Sequence, residues 1–420
     1  MRVSYGMALM GQSSGGRTST PGSKYDWCPC AYRARIVHTR TLAALCGWNE
    51  FAQYPVPDCL MKLYRGAVVW DNPSPIVESA FVMTQISGPQ PNPQLPEWPD
   101  YGLIEDMRGP LFAALDKGQV VVLATLFRVE GGGPRPEGTQ MLFTLPSNGP
   151  LEVHGFMSGG CVEADVARHA MAVMDSGAPM RLVYGPSSPW PDIRLLCGAE
   201  IEILLERIAP GDEAARGLKQ AYDRRECGVW VSDGITRRFD LEQTQRECHW
   251  TSEPFSLARS FDPTPRLIVV GSDPTAMAIA SLGVTAGFQT WLNRPKGPVS
   301  APPVPCLGYL RQDPQSALNQ VGLDPWTYVA IASHDADTDH PAVVTALMSS
   351  AAYVGLLGAR RRLPERLSAL KAAGVSDDAI ARLHAPIGMD LGGKAPWEVA
   401  ISVLGELIQT RRMPKTSKPV

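Results

Sequence analysis

Hydrophobic positions fall into regular runs only from about residue 107 onward. MRGPLFAALDKG (107–118) reads as a short amphipathic helix ending at Gly118, and QVVVLATLFRV (119–129) as a buried strand. The break EGGGPRPEG turns the chain into TQMLFTL, and LEVHGFM supplies a third strand, so a β-meander precedes the stretch that opens at Cys161. There Val162, Val166 and Ala170 recur at helical spacing. RLVYG and AEIEILLER add two strands, and 107–208 is expected to form one α+β domain. For 209–262 the pattern predicts a connector: a helix near 212–224, a GVWVSDGITRRF hairpin, and a loop rich in polar residues and prolines.

From Arg266 the pattern changes to strand and helix in alternation. RLIVVG, FQTWLN, TYVAIASHD and YVGLLGA are apolar strands, separated by helices over 274–286, near 341–350 and over 360–373. Strands this apolar, set between helices, predict a parallel sheet covered on both faces over 263–411. APWEVAISVLGELIQTRR closes the domain as a helix with proline in its first turn and arginines in its last, leaving 412–420 as a tail. The whole is an α/β chain.

Residues 1–98 lack either periodicity. GQSSGGRTSTPGS and SGPQPNPQLPEWPD have the composition of turns and linkers, which predicts a poorly ordered amino-terminal extension. Met83 and Met107 stand just upstream of the orderly sequence, and an over-extended reading frame would account for the break. CPC at 28–30 lacks the second ligand pair that a structural zinc site needs.

A formal charge of −3 gives no general drive toward nucleic acid or anionic lipid, so an anion site must be built locally. The chain has no run of the ~18–20 apolar residues that a membrane span requires, and its start lacks a secretory signal's apolar core; a cytoplasmic protein is expected. Nine cysteines without regular spacing predict reduced thiols rather than a disulfide framework.

In a doubly wound sheet, ligands bind outside the carboxyl ends of the strands. Four stretches fall there and are expected to line one crevice: GSDPTA from Gly271, SHDADTDH with His334 and Asp335, GARRR with Gly358, Arg360 and Arg361, and PIGMDLGGK with Gly388 and Asp390. The arginines offer bidentate donors to phosphate, or are a solvated surface turn. Asp339, just ahead of Pro341, is expected to cap a helix, while His334 and Asp335 are open to metal binding or proton relay. A nicotinamide-dependent oxidoreductase is one reading of such a sheet. Against it, GSDPTA carries one glycine where the dinucleotide fingerprint has three, and the second strand ends at Asn293 and Arg294 rather than at a carboxylate. Arg294 could meet a ribose phosphate, so NADP is weakened less than NAD.

Ser158, Gly159 and Gly160 lead into Cys161. A cysteine in the first turn of a helix meets unpaired N–H groups that favour thiolate, and two glycines clear its approach, although Glu163 and Asp165 oppose this by like charge. The alternative is a packed thiol. With Cys197, which precedes Gly198, the soft ligands number two, which suits a transient cargo better than a structural ion.

VLATLFRVEGGGPRPEGTQML, MSGGCVEADV, LLCGAEIEILLE, ASHDADTD, YVGLLGARRR and LHAPIGMDLGG occur in one order over both domains. In this the chain resembles the XdhC/CoxI family of accessory proteins for molybdenum hydroxylases such as xanthine dehydrogenase. The resemblance implies an XdhC-type domain followed by a Rossmann-like domain. It also implies a role in binding molybdenum cofactor and handing it to the apoenzyme of a xanthine dehydrogenase or CO dehydrogenase type hydroxylase. A cysteine desulfurase-type donor would supply the terminal sulfur, and a homodimer is compatible with the role. Cys161 of the SGGC motif would face the metal or its sulfur, and Arg135 would neutralise charge nearby. The GSDPTA turn departs from the GAGHVA-like turn usual in the family, and Gly132 and Gly133 stand where serines are frequent.

Overall fold

The computed structural model describes residues 95–412 except 134, 148, 189–194, 196 and 242–246. These residues belong to one unit, Thr84–Val420. The expectations for the extension before residue 95, the CPC pair and the 413–420 tail lie outside the described residues.

Helix α1 (Arg108–Asp116) leads into a five-stranded antiparallel sheet of β1 (Val121–Glu130), β2 (Gln140–Thr144), β3 (Glu152–Gly155), β4 (Met180–Tyr184) and β5 (Glu200–Ile208), in the order β3-β2-β1-β5-β4. Helix α2 (Glu163–Ser176) sets Val166, Ala167, Ala170 and Val173 against Val122, Ala124, Leu126 and Phe143 on one face. On the other, Val121, Leu123 and Leu142 meet Leu111 and Phe112 of α1 and Ala214 and Leu218 of α3 (Glu213–Arg224). Because both faces are covered, β1 and β2 read as unbroken apolar runs rather than as alternation.

The connector is more ordered than expected. Beyond the hairpin of β6 (Gly228–Ser232) and β7 (Arg237–Asp240), the stretch expected to be loop forms β8 (Cys248–Ser252) and β9 (Phe255–Phe261), completing a four-stranded sheet in the order β7-β6-β9-β8. Apolar burial explains the correction. Leu257 joins Phe127 and Leu204 in one buried cluster, and Phe127 meets the rings of Trp250 and Phe255 edge-on at 5.5 and 5.4 Å.

The carboxyl-terminal region is the expected doubly wound sheet. Strands β10 (Arg266–Gly271), β11 (Gln289–Asn293), β12 (Gly308–Leu310), β13 (Thr327–Ala332), β14 (Tyr353–Leu356) and β15 (Leu383–His384) are all parallel, in the order β12-β11-β10-β13-β14-β15. This is the Rossmann order, whose switch point lies between β10 and β13. Helices α4 (Pro274–Thr285) and α9 (Pro396–Arg412) cover one face. Helices α5 (Pro314–Val321), α6 (Ala336–Leu347) and α7 (Leu363–Ala372) cover the other, with the short α8 (Asp377–Ile380) following.

Helix α6 begins five residues before Pro341. Its cap is Asp335, which accepts from the Asp337 amide at 3.2 Å and the Thr338 hydroxyl at 2.6 Å. The capping role expected of Asp339 therefore belongs to Asp335. Asp339 is buried and takes both terminal nitrogens of Arg366 at 3.0 Å.

Two arginines tie the amino-terminal part to the Rossmann domain and to the segment leading into it. Arg225 pairs with Asp324 at 2.6 Å and donates to the Thr264 carbonyl and Gln289 side chain, both at 2.9 Å. Arg108 donates to the Asp262 carbonyl and the Thr264 hydroxyl.

Candidate functional site

The cysteine motif is a tight loop closed around one carboxylate. Glu163 is buried, and its Oε1 accepts from the amides of Met157 at 3.0 Å and Ser158 at 2.6 Å. Its Oε2 accepts from the Ser158 hydroxyl at 2.7 Å and the amides of Gly160 at 3.0 Å and Val162 at 3.3 Å. Ser158 Oγ in turn accepts from the amides of Cys161 at 3.0 Å and Val162 at 3.1 Å, so its one proton and two lone pairs are all used. Gly159 and Gly160 lie at φ 98° and 96°, a conformation that L side chains rarely adopt, and they let the chain double back.

This corrects two expectations for Cys161. The helix starts at Glu163, placing the cysteine before the first turn, and the nearby N–H groups expected to favour thiolate are consumed by Glu163 and Ser158. The packed-thiol alternative also fails, because Cys161 is exposed. Sequence reasoning missed Glu163 as an organiser; the available signal was an acid placed just after a Ser-Gly-Gly turn.

Behind the loop, Asp165 accepts from the Tyr184 hydroxyl at 2.7 Å and pairs with Arg168 and, at 3.4 Å, with His169. Burial alone would raise its carboxyl; the bonds from His169, Arg168 and Tyr184 outweigh it and hold the pKa at about 2. Burial and the Asp165 charge push the Tyr184 hydroxyl up.

Cys197 is exposed on the approach to β5. A Cβ at Gly131 would lie 3.5 Å from Ala199 Cα and 3.7 Å from the Gly198 oxygen, so the GGG turn after β1 runs beside the Gly198–Ala199 backbone that follows Cys197. Arg135 in that turn pairs with Glu105 at 3.1 Å, while its Nε is buried with no partner. None of the five cysteines among the described residues is in a disulfide.

At the Rossmann switch point the first turn and the β13 loop meet. Asp273 caps α4 through the Ala276 amide at 2.9 Å, and its other oxygen lies 3.0 Å from His334 Nε2. His334 takes φ 62°, a backbone state uncommon outside glycine and found at functional positions. Gly271 is a packing glycine, since a Cβ there would stand 2.4 Å from the Ala332 oxygen and 2.7 Å from Ala276 Cβ. Asn293 is buried, and its amide donates to the carbonyls of Leu310 and Gln312, which bind the third strand's end to the second. A dinucleotide's ribose would need a group in this place that faces outward.

A cavity of about 640 Å³ lies between α6 and α7, lined by His340, Leu356, Arg362, Glu365, Arg366 and Leu370 among others. Of the GARRR arginines it is Arg362 that reaches this cavity. Arg360 faces Asp390 at 3.7 Å across exposed surface. The guanidinium carbon of Arg366 is 4.0 Å from the Cβ position of Gly358, so a charge anchored by buried Asp339 lies under the Gly358 turn. Gly388, at φ 92°, gives its amide to Glu406 at 2.7 Å, and Glu406 also accepts from Tyr353 and pairs with His384 at 2.9 Å. Burial opposes the Glu406 carboxyl, but the bonds from His384, Tyr353 and Gly388 hold it below its usual range. The bonds Leu357 N to Ile331 O and Ile387 N to Leu356 O tie the segments after β14 and β15 to the ends of β13 and β14, so the GSDPTA, SHD, GARRR and PIGMD stretches follow one another along the carboxyl ends of β10, β13, β14 and β15.

The molecule thus presents an exposed thiol on a carboxylate-locked loop in an α+β domain, and a Rossmann domain with a cleft of mixed charge and partly apolar lining. That pair defines a two-domain protein, a thiol-bearing α+β domain followed by a Rossmann domain. Residues 114–185 match the XdhC and CoxI family and 267–407 the XdhC Rossmann domain; the chain belongs to the XdhC/CoxI family. It is 30% identical over 298 residues to the molybdenum cofactor insertion chaperone PaoD of Escherichia coli (strain K12), covering 71% of this chain and 86% of that one. It is 25% identical over 332 residues to a probable xanthine dehydrogenase subunit of Bacillus subtilis (strain 168), covering 72% and 96%. The crystal structure of a xanthine dehydrogenase from Bacillus halodurans superposes with a TM-score of 0.59 at 25% identity, over 74% of this chain and 98% of that one.

Proposed function

We propose that this protein binds molybdenum cofactor and delivers it to a molybdenum hydroxylase of the xanthine dehydrogenase or CO dehydrogenase type, acting as a maturation factor rather than a catalyst. The observation that carries the proposal is the exposed Cys161, set on a loop whose own polar groups are satisfied. A soft, accessible donor on a rigid loop suits a sulfur-coordinated metal that must later leave. Cys197 is assigned as the second soft group, with Ser158, Gly159 and Gly160 shaping the approach and Arg135 balancing charge. In the Rossmann domain, His334, Asp335, Gly358, Arg360, Arg361, Gly388 and Asp390 are assigned to the ligand side, with Gly271 packing beneath them, and Arg362 of the cleft supplies charge for a phosphate. A cysteine desulfurase-type partner is the proposed sulfur source, and a homodimer the proposed assembly. The cytoplasm is the proposed setting; separately, among the described residues no helix is long and apolar enough to cross a membrane.

Cys161→Ser tests the proposal because the thiol is exposed and the exchange leaves the loop's bonds in place. The variant should melt with the parent, bind isolated cofactor more weakly by on the order of tenfold or more, and fail to activate an apo-hydroxylase. Parental affinity and delivery would remove Cys161 from the site.

A further inference from the structure

We infer that Glu163 is the positioning residue of the cysteine loop: its buried carboxylate, closed by four backbone amides and the Ser158 hydroxyl, fixes the 157–162 backbone so that the Cys161 thiol stands at the surface. This deepens the proposed function and rests on Cys161 as the cargo contact. The loop has no regular structure of its own, and its glycines are conformationally permissive. The carboxylate supplies the missing order. Its two oxygens bind opposite arms, Met157 and Ser158 on the entering side and Gly160 and Val162 on the leaving side, and Ser158 relays the hold to the Cys161 amide.

The geometry specifies which substitution discriminates. Glu163→Gln keeps one acceptor oxygen but places an NH2 against donors on the other arm. Val162 can fall back on Ser158 Oγ, whereas Gly160 N loses the acceptor that holds it. In cofactor-free protein, amide hydrogen exchange at Gly160 should rise at least tenfold in Glu163→Gln, with the interior of α2 unchanged. Ser158→Ala is a milder second variant and should release Cys161 N in the same way, while Val162 N keeps Glu163 Oε2. Val166→Ala, in the core beneath the loop, is the control for general destabilisation. At matched thermal midpoints, Glu163→Gln should alter the alkylation rate of Cys161 and weaken cofactor binding at least tenfold, and Val166→Ala should do neither. Unchanged exchange at Gly160 in Glu163→Gln, or at Cys161 in Ser158→Ala, overturns the inference, as does equal loss of binding in Glu163→Gln and Val166→Ala. If instead exchange and alkylation respond while Cys161→Ser binds cofactor like the parent, the positioning role stands and the assignment of Cys161 to cargo falls.

Discussion

Asp165 shows how the residues behind the thiol contribute to stability. Its carboxyl is held at about 2 against an ordinary value of 3.8, mainly by His169, Arg168 and Tyr184 against the opposing effect of burial. A carboxyl whose folded pKa lies below its unfolded value stabilises the fold above the unfolded pKa, and that contribution is lost as pH falls through the folded one. The window here runs from near 3.8 down to about 2. Asp165→Asn should therefore cost on the order of 2–3 kcal/mol at neutral pH, and the gap to the parent should close as pH is lowered through that window. Urea unfolding at stepped pH checks this; a gap that persists unchanged to pH 2 would deny the ionised cluster its role. At this scale the sequence announced Cys161 and its glycines, because small residues before a thiol are visible as a string. Glu163 and Asp339 were not visible. Each is a buried acid whose partners come from folding, so in the string Glu163 read as a like charge beside the thiol and Asp339 as a helix cap.

Among elements, strands covered on both faces and long helices were legible from their runs. Short or displaced elements were not. Strand β12 has three residues and β15 two, too few to show a period. In α6, Pro341 looked like a first-turn residue, yet Asp335 caps the helix earlier and Pro341 lies inside it, where its missing N–H forgoes one helical bond. Hairpin β8–β9 carried alternation in Phe255, Leu257 and Phe261, obscured by the polar residues between them. The link between α6 and α7 is the Asp339–Arg366 pair, with Asp339 buried beneath the cleft. Arg366→Ala would leave that carboxylate unpaired, with only the Ser333 hydroxyl beside it. It should cost about 3–5 kcal/mol, measured by equilibrium unfolding, and removing both partners together should recover part of the loss. A drop below about 1 kcal/mol would place the pair with ordinary surface ion pairs.

For the whole molecule, the described elements all fall within Thr84–Val420, and the amino-terminal part meets the Rossmann domain and the segment leading into it through Arg108 and Arg225. Because residues 1–98 have the composition of turns and linkers, a chain beginning at Met83 should express, melt at the parental midpoint and keep its ligand affinity. Insolubility or a collapsed melting curve would show that 1–82 is required. The central claim is that the two domains together carry molybdenum cofactor, and its most direct test is the identity of what they hold. Protein purified without reduction of its ligand content, from cells that make the cofactor, should release on denaturation a molybdopterin-derived pterin with its phosphate, recognised by fluorescence and by mass spectrometry. Release of NADP or another pyridine nucleotide, with no pterin, would contradict the account and move the chain to the oxidoreductases.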